Sequence, residues 1–229
     1  MIKKIKPIFT KAWGKKISSI DKMMKKLKLM STLVKGRDIL DVGFATNPNP
    51  FLKDAIGVDI QKVPKPENYK KIYRLNLNKD KLPFKNNSFD TIIAGDVIEH
   101  LENPYLLLKE CNRVLRHNGK LIITTPNPVY FWVVIKSIFC KMPKKESLQE
   151  VHLYNWTIFE MVNLLKHAGF KCLKLWGTII RIPLIMLEIS TVKVPALSTI
   201  IIYECQKVGE PAKYTAIKDS GKKLRKITI

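Results

Sequence analysis

Two carboxylates and a glycine are the first groups in this chain whose spacing could do chemistry. Asp41 lies within Ile39-Leu40-Asp41-Val42-Gly43-Phe44-Ala45, and Asp59 closes Ile56-Gly57-Val58-Asp59. The pattern reads as a strand, a tight turn, a short crossover and a second strand ending in an acid, which is the sequence form of a nucleotide-binding βαβ unit. Gly43 permits a turn that a side chain would block and lets a ligand approach the backbone. A carboxylate at the end of the second strand can accept hydrogen bonds from two ribose hydroxyls. Asp59 follows Gly43 by 16 positions, short of the usual separation of about 20. An ordinary buried strand and turn would look the same. Histidines supply the other candidate chemistry, because their ordinary pKa suits proton transfer near neutral pH. His100 follows Glu99 directly, and His152 sits in Val151-His152-Leu153-Tyr154. A histidine beside an acid also fits a purely structural role, with Glu99 or Glu150 orienting it. His117, at a turn, and His167, near a helix end, read as surface.

These groups need a scaffold, and hydrophobic periodicity predicts one. Strands are expected near 38–42, 56–59, 71–75, 89–94, 120–125, 171–176 and 199–206, with helices near 15–31, 104–115 and 157–168. Pro48 and Pro50 interrupt the first crossover, so any helix there must be short or partly unwound. Pro64 and Pro66 make the second crossover a loop.

The middle of the chain is more specific. Leu82-Pro83-Phe84-Lys85-Asn86-Asn87-Ser88-Phe89-Asp90 leads into a strand, Gly95-Asp96-Val97-Ile98-Glu99-His100 runs on from it, and Lys120-Leu121-Ile122-Ile123-Thr124-Thr125-Pro126 forms the next strand. This order and wording resemble the class I S-adenosylmethionine-dependent methyltransferases, methyltransferase type 11-like, in the branch acting on small molecules, quinone precursors and sugars. The resemblance covers roughly residues 37–207. It implies an α/β fold, a Rossmann-like, mostly parallel seven-stranded sheet flanked by helices with an antiparallel final hairpin strand. It implies S-adenosylmethionine as cofactor, with Asp41, Gly43 and Ala45 around the methionine end, Asp59 on the ribose and Ile60 packed on the adenine. Asn76 and Leu77 stand where the family often has an acid and an apolar residue near the adenine. Asp96 falls at the carboxyl edge of the sheet. His100 and His152 fall where the family places pocket histidines and are the candidate catalytic bases. No metal ligand is expected.

The family's first loop usually carries three alternating glycines; here the series is Gly43, Ala45 and Asn47, with Pro48 next. Ala adds only a methyl, whereas Asn47-Pro48 changes the turn. A non-catalytic membrane- or RNA-binding protein on a degenerate fold is therefore the alternative to an enzyme.

Charge marks the appendages. Of a net charge of +22, residues 1–37 hold 12 Lys or Arg against Asp21 alone, and residues 207–229 hold 7 against 2 acids. The expected organisation is a basic amphipathic extension at 1–36, a methyltransferase domain at 37–207 and a basic tail at 208–229. Ile17, Ile20, Met24 and Leu27 recur at helical spacing among lysines. Such a helix fits an anionic membrane surface, or docking on its own domain with a solvated lysine face. Nucleic acid fits less well, since no recognised module is present. Within 129–150, Tyr130-Phe131-Trp132-Val133-Val134-Ile135 precedes a lysine cluster, as in an interfacial lid, or equally as core packed against the apolar stretch 179–202. The stretch 179–202 reads as apolar core. Cysteines at 111, 140, 172 and 205 lack zinc or disulfide spacing. With neither a signal peptide nor a spanning segment recognisable, a cytoplasmic protein is expected, peripheral on the inner membrane face if anchored, acting on a small or lipid-linked acceptor.

Overall fold

The computed structural model describes residues 19–131, 133–134, 138, 152–182, 187–190 and 194–212. Ile17 and the rest of the arm before residue 19, Trp132, Cys140, Glu150 and the tail beyond 212 lie outside the described residues.

Apolar runs without clear alternation dictate a sheet buried on both faces. Such a sheet forms from β1 (Ile39–Val42), β2 (Ala55–Asp59), β3 (Tyr69–Arg74), β4 (Phe89–Gly95), β5 (Leu115–Pro126), β6 (Phe170–Gly177) and β9 (Ile200–Lys207), in the order β3-β2-β1-β4-β5-β9-β6. β1 to β5 pair in parallel, and β9 runs antiparallel to β5 and β6. Successive side chains point to opposite faces. Leu40, Val42, Ile92, Ala94, Leu121, Ile123, Ile201 and Tyr203 therefore enter one core, while Ile39, Ile93, Ile122 and Ile202 enter another.

The first core is covered by α2 (Pro104–Val114) and α3 (Ile158–His167). Their starts are written locally. Asn103 caps α2 by accepting from the Leu106 N–H at 3.1 Å, and Pro104 follows at the position where its missing N–H is harmless. Thr157 and Glu160 form a reciprocal capping box on α3.

The second core is covered by α1 (Ser19–Thr32). Its inward face is Lys26, Leu27 and Met30, all buried, with buried Leu33 just past its end, whereas Ile20 is 65% exposed. The helix thus docks on the domain, and the expected solvated lysine face is incomplete, because Lys26 turns inward.

No helix forms between β1 and β2, as the prolines require. Gly57 explains how the chain closes there: a Cβ on it would lie 2.7 Å from the Phe44 ring, which packs across β2. One expectation changes. Instead of only filling the core, 179–202 contains β7 (Ile179–Ile182) and β8 (Leu187–Ser190), an antiparallel pair forming a separate two-stranded sheet. Alternation is too short in each strand to have announced it. Among the described residues, no helix is long and apolar enough to cross a membrane.

Lys207 joins the last strand to α2. It is 5% exposed, and its Nζ donates to the carbonyls of Asn112 at 2.7 Å and Leu115 at 3.1 Å. These carbonyls belong to the end of α2, where no intrahelical donor remains and a cation is favoured. Lys207→Met should lower unfolding stability by about 1–3 kcal/mol, the cost of unsatisfied buried acceptors. A urea unfolding midpoint checks this.

Candidate functional site

Parallel strands β1, β2 and β4 end at one edge, and the loops leaving them enclose a cavity of about 440 Å³. That volume lies within the roughly 300–1,000 Å³ range of small-molecule sites. Asp41, Gly43, Asp59, Ile60, Asn76, Leu77, Asp96 and His100 line it.

Asp59 is the best-anchored of these. One carboxylate oxygen accepts from the Ala45 N–H at 2.9 Å and the other from the Gln61 N–H at 2.8 Å. Each oxygen keeps a further acceptor site for a hydroxyl. Ala45 itself does not line the cavity; its amide holds Asp59 in place. Gly43, at φ +75°, donates its N–H to Val58 at 2.9 Å, and a Cβ there would lie 2.9 Å from Val97. A side chain at this position would therefore collide with Val97. Ile60 is 54% exposed and stands beside Asp59, while Asn76 Oδ1 accepts from the Asn78 N–H at 3.0 Å and closes a local turn. An acid ready for two hydroxyls, an exposed apolar side chain and a backbone cradle form a donor and shape set that fits S-adenosylmethionine.

Asp41 lines the same cavity. It is 5% exposed, and Oδ2 accepts from the Tyr69 hydroxyl at 2.5 Å. Burial pushes its carboxyl up to about 7; the Tyr69 hydrogen bond opposes this, Asp59 adds to it and Lys26 opposes it.

Asp96 sits just past β4 with φ +50°, an uncommon conformation for a residue with a side chain. Its Oδ1 accepts from the Thr124 hydroxyl at 2.5 Å and its N–H donates to the same hydroxyl oxygen at 2.9 Å, so β5 holds the bend. Its Oδ2 is paired with Lys26 of α1. Lys26, Leu27, Phe44, Thr46 and Gln61 are cavity residues that sequence reasoning did not single out. The helical stripe could have found Lys26 only if it had been read one position further round.

The two histidines, 52 positions apart, do come together. Ile98–His100 forms a single 3₁₀ turn after β4. The carbonyl of Glu99 accepts from the N–H groups of Leu153 at 2.8 Å and Tyr154 at 3.3 Å, which brings the distant segment back. The His100 and His152 rings meet edge to face with centroids 4.7 Å apart. His100 lines the cavity and His152 stands outside it, exposed. Glu99 beneath them is 1% exposed, and burial chiefly pushes its carboxyl up to about 8.

Comparison with known proteins bears on the fold and the family. Residues 41–123 match the family model described as a methyltransferase domain. The chain is 31% identical over 153 residues to an uncharacterised protein of Methanocaldococcus jannaschii, covering 64% of this chain and 70% of that one. It is 30% identical over 103 residues to a probable S-adenosylmethionine-dependent methyltransferase of Mycobacterium tuberculosis, covering 44% of this chain and 34% of that protein. Among solved structures, an S-adenosylmethionine-dependent methyltransferase of Thermotoga maritima superposes with a TM-score of 0.61 at 18% identity, over 81% of this chain and 89% of its own.

Asp41 gives a sign-defined pH effect. An unfolded Asp loses its proton near pH 4, whereas folded Asp41 retains it to about pH 7. The folded state therefore binds more protons in that window, and stability falls as pH rises from about 4 to 7. In thermal melts at pH 5 and pH 8, Asp41→Asn should show a shallower loss of Tm than the native chain.

Proposed function

The chain belongs to the S-adenosylmethionine-dependent methyltransferases, and on that premise we propose that it transfers a methyl group to a small or lipid-linked acceptor reaching the cavity from the side of His100 and His152. The observation that carries this reading is the Asp59 carboxylate, clamped by two backbone amides at the end of β2 with acceptor sites to spare. S-adenosylmethionine supplies a methyl already activated on a sulfonium sulfur. What remains for the protein is placement, an effect that can supply about 7–11 kcal/mol when reacting groups are held in line.

Asp59 and Ile60 hold the nucleoside in this reading, Asn76 and Leu77 border the adenine, and the Gly43 turn lies along the amino-acid end with Asp41 and Asp96. The departure at Ala45 leaves the Asp59 clamp intact, which supports a binding-competent site. His100, at the cavity, and His152, beside it, are the groups placed to take a proton from an acceptor hydroxyl.

Exposed side chains after β5 favour an apolar or lipid-linked acceptor. Because β5 is parallel to β4, its end lies at the same edge as the cavity. The segment leaving it exposes Val129, Phe131, Val133, Val134 and Ile138, each at least 42%. Exposed apolar side chains together with a lysine-rich N-terminal arm fit a membrane surface, where two weak signals combine.

Two measurements test these readings. Asp59→Ala removes charged hydrogen bonds worth about 1.5–3 kcal/mol each, so calorimetric affinity for S-adenosylmethionine should fall at least ~10-fold; unchanged affinity contradicts the assignment. In co-sedimentation, the native chain should bind anionic vesicles more than neutral ones and lose binding as salt shortens screening below about 8 Å. Phe131→Ser with Val134→Ser should weaken it. Equal partitioning onto both vesicle types, or none, favours a soluble acceptor.

A further inference from the structure

Glu99 carries a feature that methyl transfer does not use. Its side chain is 1% exposed, and neither carboxylate oxygen has a hydrogen-bond partner. A buried carboxylate left this way is costly unless a positive charge meets it. Lys26, the nearby cation, is already paired with Asp96. One Glu99 oxygen, one ring nitrogen of His100 and one of His152 all lie within 4.8 Å of one another.

We propose that Glu99, His100 and His152 bind a first-row divalent transition cation at the rim of the cofactor cavity. Two imidazoles and one carboxylate, from a 3₁₀ turn and a distant segment, form a three-ligand set that leaves positions open to water or substrate. The cation ligates a buried Glu99 oxygen that otherwise has no hydrogen-bond partner, and exposed His152 gives it an entry path. Bonds of about 2.0–2.2 Å require ligand atoms roughly 3.4 Å apart, so the set contracts modestly on binding. That movement falls to His152, while the backbone bonds from Leu153 and Tyr154 to Glu99 keep the segment in register. The open positions then take water or an acceptor oxygen, whose proton a cation makes easier to lose. This deepens the proposed function by making the imidazoles act through a cation rather than as free bases, and it rests on that reading only for the acceptor.

CoCl₂ titrated into the reduced, chelator-stripped full-length protein tests the site without any methyl acceptor. The expected result is one saturating equivalent with visible bands of nitrogen and oxygen ligation and no thiolate charge-transfer band, which sets the cysteines aside. Glu99→Gln and His152→Ala should each weaken Co²⁺ binding by at least ~10-fold; the first is nearly isosteric and the second lies at an exposed position, so folding is kept. No saturable spectrum in the native chain, or native affinity in both variants, overturns the proposal and leaves Glu99 a neutral buried acid. Calorimetry with S-adenosylmethionine runs alongside. Co²⁺ binding without S-adenosylmethionine binding supports the cation site and counts against the cofactor reading alone.

Discussion

The Asp59 clamp is the interaction on which the site depends. One carboxylate at the end of β2 accepts from Ala45, in the loop after β1, and from Gln61, in its own loop. The two loops are thereby fixed to each other where the parallel strands stop. A sheet buried on both faces has no room for chemistry within it, so polar side chains collect at its carboxyl edge. Asp41 stands one residue before the end of β1, Asp59 ends β2 and Asp96 follows β4. At position 45 the clamp uses only the backbone amide, which Ala provides as well as Gly.

Much of the scaffold was legible because local signals and global packing agree. Six of the seven strands of the main sheet were expected within two residues of where they form, since apolar runs bounded by Gly, Pro and Asn have one economical arrangement; β5 starts at Leu115, five residues before its expected start. Asn103-Pro104 and Thr157-x-x-Glu160 are local signals at the two helix starts that the periodicity argument did not use. The β7 and β8 pair was not legible, because four-residue strands carry too little periodicity to separate from a core run. The inward face of α1 was misplaced for a related reason. Lysine was read as surface, yet Lys26 is buried by its partner Asp96, 70 positions away, and pairing across that separation leaves no local trace.

The same limit applies to the candidate site. Asp59, Gly43 and His100 could be named from motif and spacing. The environment of Asp41 depends on Tyr69, and that of Glu99 on a segment more than 50 positions further on; both are products of packing. The cavity and its rim consequently differ in chemistry. Around Asp59 each carboxylate oxygen already accepts a backbone N–H, whereas at the rim Glu99 is buried against the His100 and His152 side chains. A single strand, β4, and the turn after it join the two, since Asp96 and His100 are only four positions apart.

A crystal structure of the protein with S-adenosylhomocysteine tests the central claim most directly. The account predicts the ribose hydroxyls on the Asp59 carboxylate, with the Ala45 and Gln61 amide bonds to it retained and the sulfur facing the His100 side of the cavity. A ribose placed away from Asp59, or a ligand that breaks the clamp in order to bind, would contradict it.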